Sequence, residues 1–277
     1  MLHDYGKLVS LPVQRRLLTQ LAGMHRGARA GTSHEFLEMD EYKVGDDVGD
    51  IDWKATARHN QPVVKQFEAT AILSAYLLLD AGANMAAAAS VTETKKQVAL
   101  EFVTAICWLM RGDHLGLVLG NQAEVRAVPA RSGTAHAQQI LRLAERAQVS
   151  GPAANLDRLL RYPLPHRSMV LLVTDAYQLN ESTALALRRL QARHSVFVFL
   201  VADLDPTEAG PGPVRDVGGA LIPQFAQTNP TVAYQWANLN RARLQWVEQV
   251  LNSVPHATAA SRAEVLPALL ELFDRHA

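Results

Sequence analysis

A single cysteine, Cys107, stands in 277 residues. That excludes a disulfide framework and a four-thiolate zinc site, and within TAICWLM it reads as a buried small hydrophobe. Net charge of one sign is also missing: 27 basic side chains meet 27 acidic ones. No run of Lys and Arg reaches the density that phosphate binding needs, so no nucleic-acid partner is expected. No apolar stretch attains the ~18 residues of a membrane span, and the start MLHDYGKLVS lacks a signal-like apolar core. Membrane insertion is therefore not expected, and a cytoplasmic location is the simplest account. HExxH, G-x-S-x-G and Walker sequences are absent, and the ten histidines are scattered.

What is present is a chain rich enough in apolar residues, 48%, to bury a substantial core. Residues 12–22, PVQRRLLTQLA, have helical apolar spacing after a first-turn proline, and a Gly-punctuated basic connector follows at 23–33. From 35 to 70 the pattern becomes short and extended, and residues 1–70 read as an N-terminal extension. Residues 71–277 alternate strands and helices. AYLLLD (75–80), HLGLVLG (114–120), MVLLVTD (169–175) and SVFVFLVAD (195–203) are the buried strands, with EVRAVP (124–129) joined to the second as a hairpin edge. Helices are predicted after a Ser90/Glu93 capping box up to Gly112, over 135–147, 155–161 and 182–193, over 236–252, and near the C-terminus. The 236–252 helix would place Leu239, Trp246, Val247, Val250 and Leu251 on one face. DPTEAGPGP (205–213) is a loop. The class is α/β, a three-layer sandwich around a mostly parallel, doubly wound sheet.

Two of those strands end in aspartate, in LLLDAGANM and LLVTDAYQLN. Ligands of open α/β sheets bind beyond the carboxyl ends of the strands, where strand order reverses. If the two strands are neighbours, Asp80 and Asp175 share one crevice. They then either hold a hard divalent cation or cap the turns that follow them. Lys95 and Lys96 open a helix and read as solvent-exposed.

A second acidic feature lies upstream. GDDVGDIDWKATAR (45–58) packs Asp46, Asp47, Asp50 and Asp52 into seven positions, followed by Trp53, Lys54 and Arg58. As an EF-hand loop it fails, because the positions for the internal Gly and the terminal Glu hold Ile51 and Ala57, or Ala55 and Gln61. As a catalytic pair it lacks accompanying motifs. In a strand, Ile51 and Trp53 would face a core while Asp50 and Asp52 face outward. The outward acids serve as a docking surface for basic groups, or as a solvated edge that discourages strand pairing. Tyr42, Trp53 and Tyr76 read as packing residues.

The segment EFLEMDEYKVGDDVGDIDWKATARHNQPVVKQFE, together with LLLDAGANM, RGDHLGLVL and DPTEAG, resembles the family known as domain of unknown function 58. Its signature runs Gly-x-Glu-Phe, Arg-x-Tyr, Pro-Gly-Asp-Asp, Arg-x-Ile-Asp-Trp, Ser-Ala-Arg. The resemblance implies a von Willebrand factor A-like fold in a bacterial protein, encoded beside a MoxR-type AAA+ ATPase. It further implies a non-enzymatic, chaperone-like adaptor role between that ATPase and a client protein complex. The partner-binding candidates are Asp46, Asp47, Asp50, Asp52, Arg58, Asp80, Asn84 and Asp175. The von Willebrand metal pattern, Asp-x-Ser-x-Ser, is degenerate here: Gly82 and Asn84 replace the serines, and the usual Thr position falls near Ala154. Arginines usual in the family are replaced by Asp40 and Gly49, which leaves the acidic segment less neutralised. No cofactor is expected. The alternative readings are a Mg²⁺ ion held by Asp80, Asn84 and Asp175 that grips a partner carboxylate, and a hydrolase using the strand-end acids.

Overall fold

The computed structural model describes residues 34–43, 51–59, 61–69, 73–121, 124–149, 156–165, 167–205 and 220–274. They fall into two compact units, one ending before Leu73 and one beginning there. The predicted 12–22 helix, the 23–33 connector and most of the 205–213 loop lie outside the described residues.

In the first unit, β1 (His34–Glu41) and β2 (Val63–Ala69) form an antiparallel pair with a register irregularity between Phe36 and Glu38. Between them in sequence lies α1 (Trp53–His59). Ile51 bridges to Val64, and the Asp52 N–H donates to the Val63 carbonyl at 2.9 Å. The helix begins at Trp53, against the expected strand through that residue. The Asp52 carboxylate accepts from the N–H groups of Lys54 (2.9 Å) and Ala55 (3.1 Å), the geometry of a helix N-cap. Capping therefore prevails over strand alternation. It turns Ala55 inward and leaves Trp53 68% exposed, so Trp53 does not anchor a core.

The second unit is an α/β sandwich. Its sheet has the order β5-β4-β3-β6-β7-β8, formed by β3 (Ser74–Asp80), β4 (His114–Gly120), β5 (Val125–Arg131), β6 (Met169–Asp175), β7 (Ser195–Val201) and β8 (His256–Ala259). All neighbours are parallel except β4 and β5, the predicted hairpin edge. β3, β4, β6 and β7 are nearly all buried, which explains why they read as continuous apolar runs. Gly116 pairs with Tyr76, and any Cβ there would lie 2.4 Å from the Tyr76 ring; the glycine makes room for an aromatic packed flat on the sheet.

On one sheet face, α4 (Leu156–Leu160), α5 (Glu181–Gln191) and the C-terminal end of α7 (Pro230–Leu251) cover Tyr76, Leu78, Val170, Leu172, Val198 and Leu200. On the other, α2 (Lys95–Leu109) packs with α3 (Thr134–Arg146) and α8 (Val265–Asp274). Phe102 stacks on Phe199 at 4.1 Å, and Phe273 meets Phe197 edge-on at 5.9 Å. Cys107 is buried on α2, where burial pushes its thiol up to about 12.

Three expectations change. The α2 capping box is Thr94 with Gln97, not Ser90 with Glu93; Glu93 instead accepts from the backbone and guanidinium of Arg262 at 2.8 and 2.6 Å. Helix α7 begins at Pro230 behind an Asn229 cap, and α6 (Gln224–Thr228) precedes it. Val247 and Leu251 are buried, with Trp246 and Val250 packed beside them, but Leu239 is 69% exposed. β8, four residues long, has no sequence signal of its own and exists through its pairing with β7.

Candidate functional site: a strand-end crevice

β3 and β6 are direct neighbours, so their carboxyl ends deliver Asp80 and Asp175 side by side. The chain winds one way from β3 to β4 and the other way through β6, β7 and β8, which makes this the point of strand reversal. The register pairs Leu79 with Val173, so the next residues in line are Asp80 and Thr174. Thr174 Oγ1 donates to Asp80 Oδ2 at 2.9 Å.

The two carboxylates divide their oxygens in the same way. Each Oδ1 serves the local turn: Asp80 accepts from the Gly82 N–H at 2.8 Å, and Asp175 from the N–H groups of Tyr177 and Gln178 at 2.9 and 3.1 Å. Each Oδ2 faces the crevice. Asn84 Nδ2 donates to Asp80 Oδ2 and to Asp175 Oδ2, both at 2.9 Å, and so ties the two strands together. Each strand-end aspartate therefore caps its turn while also facing the shared crevice.

Lys95 completes the arrangement. It is not solvent-exposed: the side chain is 1% accessible, its Nζ lies 2.8 Å from Asp175 Oδ2, and it is ion-paired with Asp203. Asp203 lies just beyond β7. Burial alone would depress the Lys95 pKa, but the charges of Asp175 and Asp203 and their hydrogen bonds outweigh it and raise it. Burial pushes the Asp80 carboxyl above the usual aspartate range, against the hydrogen bonds from Asn84 and Gly82. Asp203 is raised by burial too, with Lys95 pulling the other way.

A hard divalent cation needs several oxygen lone pairs aimed at one point. Here the crevice-facing oxygens already accept from an ammonium, a hydroxyl and an amide NH₂. Asn84 turns its NH₂ toward the acids, as two adjacent carboxylates require, and its Oδ1 is buried with no hydrogen-bond partner. With Lys95 in place, these residues do not fit a divalent cation. Among the described residues, no group of three His, Cys, Asp or Glu side chains is arranged to hold a metal.

The crevice rim is formed by the turn after β6. Tyr177 is half-exposed, and its hydroxyl lies 3.2 Å from Asn240 Oδ1 on α7. Arg243 donates to the carbonyls of Ala176, at 2.8 Å, and Leu179, and lies against the rings of Tyr177 and Trp246.

Of the predicted site residues, Asp80, Asn84 and Asp175 converge. Asp52 caps α1, and Arg58 lies exposed on that helix. Asp46, Asp47, Asp50 and Ala154 fall outside the described residues. Sequence reasoning missed Lys95, Thr174 and Asp203, and two of these carried a signal. Lys95 sits at the first position of α2, whose first turn holds no acid, although helix N-termini disfavour cations. Asp203 ends SVFVFLVAD as Asp80 and Asp175 end their own runs.

A family model described as "Protein of unknown function DUF58" matches residues 38–218. An uncharacterized protein of Mycobacterium bovis is 32% identical over 230 residues, 79% of this chain and 72% of that one, and an uncharacterized protein of Mycobacterium tuberculosis matches to the same extent. Among solved structures, the hypothetical protein BatB of Bacteroides thetaiotaomicron is similar at TM-score 0.49 and 15% identity, covering 73% of this chain and 98% of that one. A von Willebrand factor type A protein of Catenulispora acidiphila is similar at TM-score 0.44 and 15% identity, covering 75% and 43%. Among the described residues, no helix is long and apolar enough to cross a membrane. The family match spans more than half of the sequence and carries the acidic segment and the crevice together: this chain belongs to the DUF58 family of proteins of unknown function.

Proposed function

We propose that this chain is a non-enzymatic protein-interaction module, an adaptor that couples a MoxR-type AAA+ ATPase to a client protein complex in the cytoplasm. The observation that carries this reading is the state of the strand-end acids. Asp80 and Asp175 are 2% and 0% exposed, and all four of their carboxylate oxygens accept hydrogen bonds within the fold. A general base or nucleophile needs a lone pair within reach of substrate, and burial keeps these carboxylates out of such reach. The crevice therefore acts as a rigid platform whose rim, not its floor, meets another protein. The ATPase and client come from the family resemblance.

The acidic segment supplies the second contact, as a surface for a basic patch on the ATPase. Asp46, Asp47 and Asp50 carry it, while Asp52 is committed to capping α1. The test is capture of the ATPase encoded beside this chain by wild type and by the triple variant Asp46→Lys, Asp47→Lys, Asp50→Lys. Capture is expected to weaken in the variant, and wild-type capture to fall with added salt. Undiminished capture by the folded triple variant removes the segment from the interface, and no capture by wild type removes the adaptor role.

A further inference from the structure

The crevice has the oxygen chemistry of a cation site and holds a cation that is part of the chain. We infer that Lys95 is a resident cation: its ammonium occupies the place a divalent metal would take between Asp175 and Asp203. The crevice therefore works without metal and becomes a metal site only when that ammonium is removed. This deepens the proposed function, because it makes the platform independent of metal supply, and it rests on that reading only for what the crevice is used for.

Three observations converge. First, the lysine is placed against local preference. It occupies the first position of α2, where the helix dipole is positive, and the carboxylates of Asp175 and Asp203 offset that placement. Its backbone N–H is satisfied by the Ala87 carbonyl at 2.9 Å, so the loop from β3 holds the lysine directly over the crevice.

Second, the surrounding donor set is all oxygen. Asp80, Asp175 and Asp203 bring three carboxylates, Thr174 a hydroxyl and Asn84 an amide, joined in one chain of contacts through Lys95. Oxygen is the ligand type that hard cations such as Mg²⁺ or Mn²⁺ take, although with Lys95 in place no three of these acids are arranged to hold one. The ammonium supplies hydrogen-bond donors to these oxygens where a metal would supply a Lewis acid.

Third, Asn84 is turned to serve the acids as a donor. Its NH₂ bridges the two acids and its buried Oδ1 has no partner. That is the arrangement for an ammonium and two carboxylates, in which Asn84 must serve as a donor.

The experiment is a Mn²⁺ titration of the full chain, read by the electron paramagnetic resonance signal of free Mn²⁺ and by thermal melting. Four proteins are compared: wild type, Asp175→Ala, Lys95→Ala and the double variant Lys95→Ala/Asp175→Ala. Wild type is expected to bind no more Mn²⁺ than Asp175→Ala and to keep its melting temperature in EDTA. Lys95→Ala is expected to gain one site, at least about tenfold tighter than any in wild type, to melt higher with added Mn²⁺, and to lose both effects in the double variant. Lys95→Gln, which keeps volume and a donor while removing the charge, replaces Lys95→Ala if the latter does not fold. A wild-type site that disappears in Asp175→Ala overturns the inference, as does a folded Lys95 variant that gains no site. Loss of ATPase capture with these results intact would overturn the adaptor role and leave the resident cation standing.

Discussion

Asp52 and Asp175 are handled alike by the backbone and differently by everything else. Each precedes a helical turn, and each Oδ1 accepts from the N–H groups two and three residues ahead, at 2.9 and 3.1 Å in both cases. Asp52 is half-buried at the start of α1, where water reaches it. Asp175 is 0% exposed, so its second oxygen cannot rely on water and takes hydrogen bonds from Asn84 and Lys95. An identical cap thus serves as a local stop signal in one place and as part of an ion cluster in the other. Burial makes that difference: the desolvated charge demands a fixed opposite charge, and the fold provides it from 80 residues away.

The comparison can be broken most forcefully at Lys95. Lys95→Met leaves Asp175 and Asp203 without their cation. Because the pair is buried on both sides, the loss is expected to be about 3–5 kcal/mol by urea denaturation. A loss below about 1 kcal/mol would place the pair with surface salt bridges and erase the contrast with Asp52. Asp52→Ala removes the cap of α1, with an expected loss of about 1 kcal/mol, seen as faster hydrogen exchange in the α1 amides and unchanged exchange in β6.

The titration of Asp80 sharpens the difference further. Burial raises its folded-state pKa above that of the unfolded chain, so the folded protein holds the proton more tightly. Its contribution to stability is full below the unfolded aspartate value and is lost as pH rises through the folded one. Melting temperatures measured across acidic pH are expected to show that decline in wild type and to lack it in Asp80→Asn. The smallest effect belongs to Leu239→Ser, within about 0.5 kcal/mol, because the side chain is exposed on α7.

The strands were legible where burial on both faces forces a continuous apolar run. MVLLVTD is β6 to the residue, and AYLLLD and HLGLVLG coincide with β3 and β4 to within one. That β3 and β6 are neighbours entered the sequence reading only as a condition, because no pair of residues specifies it; the sheet register meets that condition. Trp53 was misread because alternation over four residues competes with a capping aspartate, and the cap prevailed. β8 left no trace because HATA owes its extended form to β7 alone. In the crevice, the acids could be read from where their strands stop. Lys95 shows in sequence only as a lysine opening an acid-free first turn; its burial does not, since lysines are rarely buried unless paired and its partners lie 80 and 108 positions away.

The most direct test of the ion cluster is to observe the ammonium itself. A ¹H–¹⁵N correlation spectrum tuned to lysine side chains is expected to show one NH₃⁺ signal protected from exchange at neutral pH. That signal should vanish in Lys95→Gln and remain unmoved by millimolar Mg²⁺. A spectrum with no protected NH₃⁺, or one whose signal is displaced when Mg²⁺ is added, would contradict the account.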